Sequence, residues 1–360
     1  MSRASFFADL TALAVSMSSS IPNVCERNLD ILIGDLPSLI TTSASSSSEE
    51  TSVDVAMASS SSKVRRQISA LLDKDPSLAG PLLRLAFHDA ATWESTPSRP
   101  QGKSSSAIVT STGGSNGSIR FELDWPQNRG LRRPLEIVTS IRKRQTKTST
   151  AVDSSRLDLS LADVIAIAGA EAVSHAGGPP IPIKLGRVDS TLGDPQQLRT
   201  MLRKDTERSV VETTLPSPAL DSDGLRLFFG RLGLSNEQFV ALSGAHGLGR
   251  HVSLLGMPKA CLRNLTRTCL DEAPVLLPFV AAEVDSFDNT YFTALLRWYD
   301  RDVKLGEVAF IPTDVALVVD KDLRQHVERF ANDKEYFFRV FTSAYQTIVE
   351  NTVANMTGRY

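Results

Sequence analysis

The chain has 360 residues, a formal net charge of −2, 41% hydrophobic residues and 22% charged residues. At ~150 residues per domain that length allows about two domains, and the composition excludes a wholly disordered chain, a collagen and a coiled coil. The near balance of 39 basic and 41 acidic residues gives no global field to attract nucleic acid or an anionic membrane, and three cysteines exclude a disulfide scaffold and fit a reducing compartment.

Along the chain, residues 1–62 stand apart. Ten of the twenty residues from 43 to 62 are serine, and isolated apolar residues there cannot offset the entropy of ordering, so the whole extension is expected to be disordered. Residues 1–20 carry Arg3, an apolar patch and several serines. They read as a targeting segment, a plain extension or a misplaced gene start, and Asp9 argues against a mitochondrial presequence. From Lys63 helical spacing dominates, first over 63–74 and 78–91. Polar loops are expected over 98–118, containing Gly113-Gly-Ser-Asn-Gly117, and over 142–155, with Arg142-Lys-Arg144 as the polar end of a helix. Ser160-Leu-Ala-Asp163 opens a helix that ends near Gly177-Gly178. Ser235-Asn-Glu-Gln238 is a capping box before a helix stopped by Gly247 and Gly249. Asn332-Asp-Lys-Glu335 reads as another, before a helix carrying Phe337, Phe338, Val340 and Phe341. Period-two runs are scarce, so the expected class is all-α. No run reaches the ~18 apolar residues of a membrane span, and the longest candidate, 273–282, is broken by Pro274 and Pro278.

Chemistry concentrates in two places. In Arg84-Leu-Ala-Phe-His88 the four-residue spacing puts a guanidinium and an imidazole on one helix face, with Phe87 beside them. Because Leu82, Leu83, Leu85 and Ala86 are apolar, Arg84 sits on a largely buried helix. It is either neutralised by an acid such as Asp89 or used in a site. In Phe239-Val-Ala-Leu-Ser-Gly-Ala-His246-Gly-Leu-Gly-Arg250 the histidine ends an apolar stripe where glycines permit close approach. It is either a satisfied core residue or an iron ligand.

These segments resemble the plant-type haem peroxidases. Pro81-Leu-Leu-Arg-Leu-Ala-Phe-His-Asp-Ala90 is similar to their distal helix and Ala241-Leu-Ser-Gly-Ala-His246-Gly-Leu-Gly to their proximal helix. Gly113-Gly-Ser-Asn-Gly-Ser-Ile-Arg120, Glu122, Asn128, Ala162-Asp-Val-Ile-Ala-Ile-Ala-Gly169, Gly177-Gly-Pro-Pro-Ile-Pro182, Gly186-Arg-Val-Asp189, Phe287-Asp-Asn-Thr-Tyr-Phe292 and Pro312-Thr-Asp314 follow in the family's order. The resemblance covers about 63–350 and is greatest to the intracellular class I type, among ascorbate peroxidases and their relatives. It implies a helical bundle with haem b between a distal lobe (about 63–190) and a proximal lobe (about 191–350), followed by a tail over 351–360. It implies His246 as axial ligand, with Asp314 behind it. It implies His88 as acid–base group, Arg84 as charge stabiliser and Asn128 holding His88, with Glu122 bracing that loop. Phe87, Pro182, Ser243 and Arg250 would line the haem or its propionates. The partners implied are hydrogen peroxide and a small electron donor, in peroxide detoxification and the oxidative-stress response. The implied location is intracellular, with a plastid preferred to mitochondrion or cytosol.

Departures from the class I pattern bear on the donor. Phe87 stands where cytosolic ascorbate peroxidase carries tryptophan. Phe279, or alternatively Val280, stands near the missing proximal tryptophan. Leu255 replaces the arginine expected to hold ascorbate. Gly247 replaces a threonine that helps bind potassium, leaving Asp288 as one member of an incomplete cation set. Cys261 and Cys269, in an insertion over 257–278, are close enough in sequence to bridge, and free thiols are the preferred reading in a reducing compartment. The competing reading is a non-catalytic, haem-binding or structural protein of peroxidase fold. A hydrolase using Ser243 is set aside because no nucleophile elbow surrounds it.

Overall fold

The computed structural model describes residues 47–97, 109–147, 159–194, 199–202, 209–212, 214–252, 276–304 and 306–351. Within them the chain is helical, as the spacing of its apolar residues requires. Leu255, Cys261 and Cys269, the 1–20 segment and the 352–360 end of the tail lie outside the described residues.

The distal half is built from α1 (Ser47–Leu72), α2 (Ala79–Ala90), α3 (Arg132–Lys147) and α4 (Leu161–His175). Two expectations are corrected here. Helix α1 begins at Ser47, so 47–62 is not a disordered segment. Met57, Val64, Ile68 and Leu72 fall on one helical stripe packed against the core. Helix α3 runs to Lys147, so the loop expected from residue 142 starts later. Arg142 is drawn inward by Asp189 at 3.3 Å and by the Leu159 carbonyl at 3.2 Å.

Helix α4 is the buried centre of this half, with every residue from Leu161 to Ala170 buried, and α1, α2 and α3 pack on it. Its N-terminus explains two motifs at once. Ser160 caps it by accepting the Asp163 N–H at 2.9 Å. Asp189 accepts the Leu161 and Ala162 N–H groups at 3.0 and 2.9 Å, a carboxylate at the positive end of a helix. Asp163 in return accepts the Gly186 and Arg187 N–H groups and the Arg187 guanidinium, at 3.0, 3.2 and 2.9 Å. The Gly186-Arg-Val-Asp189 strip is therefore clamped to α4 from both ends.

The proximal half contains α5 (Ser222–Arg231), α6 (Asn236–Ser243), α7 (Thr290–Tyr299), α8 (Pro312–Val319), α9 (Lys321–Asn332) and α10 (Lys334–Glu350). Phe287, Phe292, Phe330, Phe337 and Phe341 form its aromatic core. Helix α6 starts with the expected capping box, Ser235 and Gln238 bonding reciprocally at 3.2 and 3.1 Å. The box expected at Asn332 does not form. Asn332 ends α9, and Asp333 caps α10 through the Tyr336 N–H at 2.8 Å. Three two-stranded antiparallel ribbons interrupt the helices: β1 (Glu94–Pro97) with β2 (Val109–Thr112), β3 (Arg199–Leu202) with β4 (Ser209–Glu212), and β5 (Arg250–Val252) with β6 (Leu276–Pro278).

The halves interlock. Helix α10 packs on α2, and Tyr345 donates to the Ala166 carbonyl of α4 at 2.8 Å. Helix α2 also packs on the 3₁₀ turn Gly244–Leu248. Gly80 permits that approach, since a Cβ there would collide with the Leu248 carbonyl oxygen.

Candidate active site

His88 lies in the last turn of α2 and is 8% exposed. Its Nδ1 stands 2.7 Å from Asn128 Oδ1, and Asn128 Nδ2 donates to the Glu122 carbonyl at 2.9 Å. With the amide N–H spent on that carbonyl, Asn128 presents oxygen to the imidazole. His88 Nδ1 must then carry the proton, which leaves Nε2 as the basic nitrogen. Burial first, and the Arg84 charge second, hold the imidazole down at about 3, so it is neutral and able to accept a proton.

Arg84, one turn earlier, donates to the Arg129 and Gln127 carbonyls at 2.8 and 2.6 Å. The 3₁₀ turn Pro126–Asn128 and the residue after it therefore hold both distal groups, Asn128 through its side chain and its two neighbours through their carbonyls. Water reaches the Arg84 side chain, yet protein packs around it closely enough to lower its pKa to about 10, through burial and the nearby Arg129. No acid pairs with Arg84 among the described contacts. Asp89, the alternative partner, is fully buried and accepts the Gly117 and Ile119 N–H groups at 3.0 and 3.3 Å. Phe87 meets His88 edge to face at 5.8 Å.

Glu122 acts on the distal loop through two groups. Its carbonyl holds Asn128, and its carboxylate accepts the Asp194 N–H at 2.7 Å. Burial pushes that carboxyl up to about 7.

On the other side, His246 occupies the 3₁₀ turn after α6 rather than the α-helix itself, because α6 stops at Ser243. Its Nδ1–H donates to Asp314 Oδ1 at 2.6 Å. Asp314 sits in the first turn of α8, is 1% exposed, and receives the Ile311 N–H on its other oxygen at 2.9 Å. Tyr291 adds an O–H donor to Oδ1 at 2.6 Å. Phe279, not Val280, covers the imidazole, stacked at 4.2 Å with planes 12° apart. Val280 instead bridges to Val308.

Three expected lining residues make contacts within the protein. Pro182 is exposed in a shallow pocket against α1, with its carbonyl accepting from Gln346 at 2.9 Å. It is a surface loop proline here, and no described contact joins it to His88. Arg250, expected at a propionate, forms a bidentate pair with Asp285 at 2.7 and 2.8 Å. Ser243 donates back to the Phe239 carbonyl at 3.0 Å, a bond internal to α6. Asp288 accepts the Thr290 N–H at 2.8 Å at the start of α7, and among the described residues no group of three or more His, Cys, Asp or Glu is placed to hold a metal ion. Sequence reasoning missed Tyr291, although it lies inside the quoted Phe287–Phe292 motif. It also missed Asp285, which the structure holds at a left-handed φ of 72° beside Arg250.

The residues fit an iron porphyrin. Both histidines commit Nδ1 to a fixed acceptor and leave Nε2 without a hydrogen-bond partner among the described residues, and the elements carrying them pack on each other. A carboxylate-oriented imidazole is the donor that axial ligation of iron requires.

The peroxidase family profile matches residues 64–333. A protein of Arabidopsis thaliana provisionally named L-ascorbate peroxidase 6 is 34% identical over 275 residues, 76% of this chain and 64% of its own length. L-ascorbate peroxidase T, chloroplastic, of the same plant is 33% identical over 273 residues, covering 73% and 54%. A protein provisionally named heme-binding peroxidase, of Cryptococcus neoformans var. neoformans, is 31% identical over 293 residues, covering 77% and 72%. The chain thus spans less than two thirds of both plant relatives. By the profile match, by these identities and by the paired histidines just described, the chain belongs to the plant-type haem peroxidase family, in its intracellular class I type.

Proposed function

We propose that the protein reduces hydrogen peroxide to water with two electrons from a small phenolic or ascorbate-like donor, in peroxide detoxification. The observation that carries this reading is the complementary state of the two imidazoles, one backed by a carboxylate and the other by a carboxamide oxygen. Haem held through His246 supplies the redox chemistry. The chain's own groups supply the rest. His88 Nε2 takes a proton from peroxide and returns it to the departing oxygen. Asn128 fixes the tautomer that makes this possible. Arg84 offers a fixed cation to the charge that develops as the O–O bond breaks. Asp314 draws on the His246 N–H and makes that imidazole a stronger donor.

The donor reading leans towards phenols. Leu255 stands where an ascorbate-gripping arginine is expected, and Arg250 is engaged by Asp285. A plastid location is part of the proposal and is supported by a relative named as chloroplastic. No helix among the described residues is long and apolar enough to cross a membrane. A second reading, a haem-binding protein without turnover, keeps His246 and Asp314 as the cofactor's support and differs only in the fate of peroxide.

One experiment separates the two readings. Purified protein is reconstituted with haem and mixed with peroxide in a stopped-flow instrument, then with guaiacol and with ascorbate. A Soret band that changes on peroxide addition, with guaiacol oxidised faster than ascorbate, supports the proposal. A Soret band that peroxide leaves unchanged supports the second reading, and faster turnover of ascorbate overturns the donor assignment.

A further inference from the structure

Aromatic rings lead from the proximal histidine to the surface. Tyr291 meets His246 edge to face at 6.0 Å and 87°. Phe310 meets Tyr291 at 5.9 Å and 88°, and Trp298 meets Phe310 at 6.3 Å and 90°. Tyr291 and Trp298 are seven residues apart on α7, so they share a helix face two turns apart, about 10 Å along the axis. Tyr291 is fully buried, Trp298 is half-buried, and its neighbour Tyr299 is 40% exposed.

The two ends of this path are the side-chain types that most readily give up one electron, and the phenylalanine between them is not. Tyrosine loses an electron easily only if its proton has somewhere to go. Here Asp314 Oδ1 accepts the Tyr291 O–H at 2.6 Å. Among the described residues near Trp298, opposite charges are paired with one another. Arg297 is paired with Asp302 and Glu307, and Arg324 with Glu328. The half-buried Trp298 indole offers an aromatic donor an edge to stack on, whereas the Tyr299 ring is covered by the Arg324 guanidinium at 5.0 Å.

We propose that Trp298 is a second donor-oxidation site, taking bulky phenols that do not reach the distal residues, and that Tyr291 connects it to the proximal side of the haem. The proposal rests on the peroxidase reading above, which supplies the oxidant. For each electron, Tyr291 is oxidised while its O–H proton passes to Asp314. Trp298 then gives one electron to Tyr291, which takes its proton back, and the Trp298 radical cation takes one electron from the phenol. The phenol releases its proton to water as the phenoxyl radical forms. Two such passages balance one peroxide: H2O2 + 2 ArOH → 2 H2O + 2 ArO•.

The test is radical trapping in the haem-reconstituted full chain. Peroxide is added without donor but with a nitroso spin trap, and the trypsin-digested protein is mapped by mass spectrometry. The expected result is an adduct on Trp298 that falls to background in Tyr291→Phe. Trp298→Phe should lose that adduct and oxidise dextran-tethered guaiacol more slowly, and Trp298→Tyr, which restores an oxidisable ring, should recover both. An adduct at Trp298 undiminished in Tyr291→Phe overturns the proposal. So does its absence in a protein that still consumes peroxide with free guaiacol, and so does unchanged oxidation of tethered guaiacol by Trp298→Phe. A protein that binds haem but leaves peroxide unconsumed would instead overturn the peroxidase reading beneath it.

Discussion

Phe279 lies flat against His246, ring centroids 4.2 Å apart and planes 12° from parallel. A phenyl ring supports the imidazole by stacking but has no N–H to offer the carboxylate behind it. That donor comes from Tyr291, on a different element, at 2.6 Å from the same Asp314 oxygen that binds His246. Two donors therefore compete for one oxygen.

Removing the second donor should strengthen the first. In Tyr291→Phe, Asp314 draws harder on the His246 N–H, the imidazole gains anionic character and the ferric state is favoured. The expected outcome is a more negative haem reduction potential, read by spectroelectrochemistry, with the Soret band retained. An unchanged potential would show that the Tyr291 bond does not tune the ligand.

His246→Ala should give protein that folds but develops no stable Soret band on reconstitution, because no other described imidazole has its Nδ1 backed by a buried carboxylate. His88→Leu should keep the Soret band and slow the peroxide step by ~10²–10⁴-fold, the range general acid–base catalysis supplies. Stopped-flow absorbance separates the two outcomes.

The His88 environment sets a pH dependence. Burial and the Arg84 charge hold the folded imidazole at about 3, against an ordinary value near 6.5. The folded state therefore stays unprotonated where the unfolded chain takes up a proton, and this group's contribution to stability, full above pH ~6.5, is lost as pH falls toward 3. For the reaction, the basic form persists into acid. Arg84→Leu removes a repelling cation, so besides slowing the peroxide step it should move the acid limb of the pH profile upward. A limb that stays in place would show that burial alone sets the value.

The carboxyl groups behind the distal loop act with the opposite sign. Burial raises Glu122 to about 7 and Asp89 to about 8. Between the unfolded and folded values the native state holds protons that the unfolded chain has lost, so stability falls as pH rises through that window. Glu122→Gln keeps an oxygen for the Asp194 N–H and removes one proton-linked group. Its melting curve should decline less from pH 5 to pH 9 than the parent's, with a gain at pH 9 of ~1–3 kcal/mol. Parallel declines would remove Glu122 from the account.

Gly169 tests the packing that sets the distal side. A Cβ there would meet Ala86 Cβ at 2.7 Å and collide with the Tyr345 hydroxyl. Gly169→Ala should cost about 1–3 kcal/mol, the usual range for overfilling a core, measured by denaturant unfolding.

Local physics determined what was legible in the sequence. Helical spacing in 78–91, the Ser160 cap and the Ser235–Gln238 box need only near neighbours, so they could be read directly, as could His88 and His246 and the class of chemistry they imply. The failures follow the same reasoning. Residues 47–62 look too polar to order alone, but they continue α1, which is anchored by Val64, Ile68 and Leu72, with Met57 as the one contact from the polar stretch, on a core brought together by distant elements. Pro182 matched by order along the chain, yet it is exposed and its carbonyl meets Gln346, a contact that no spacing encodes. The sequence already points to Phe279 beside His246, and its ring stacks there. Only the tertiary structure could put the Tyr291 hydroxyl on the Asp314 oxygen that binds His246, because that hydrogen bond is fixed by where separate elements pack, and sequence separation says little about that.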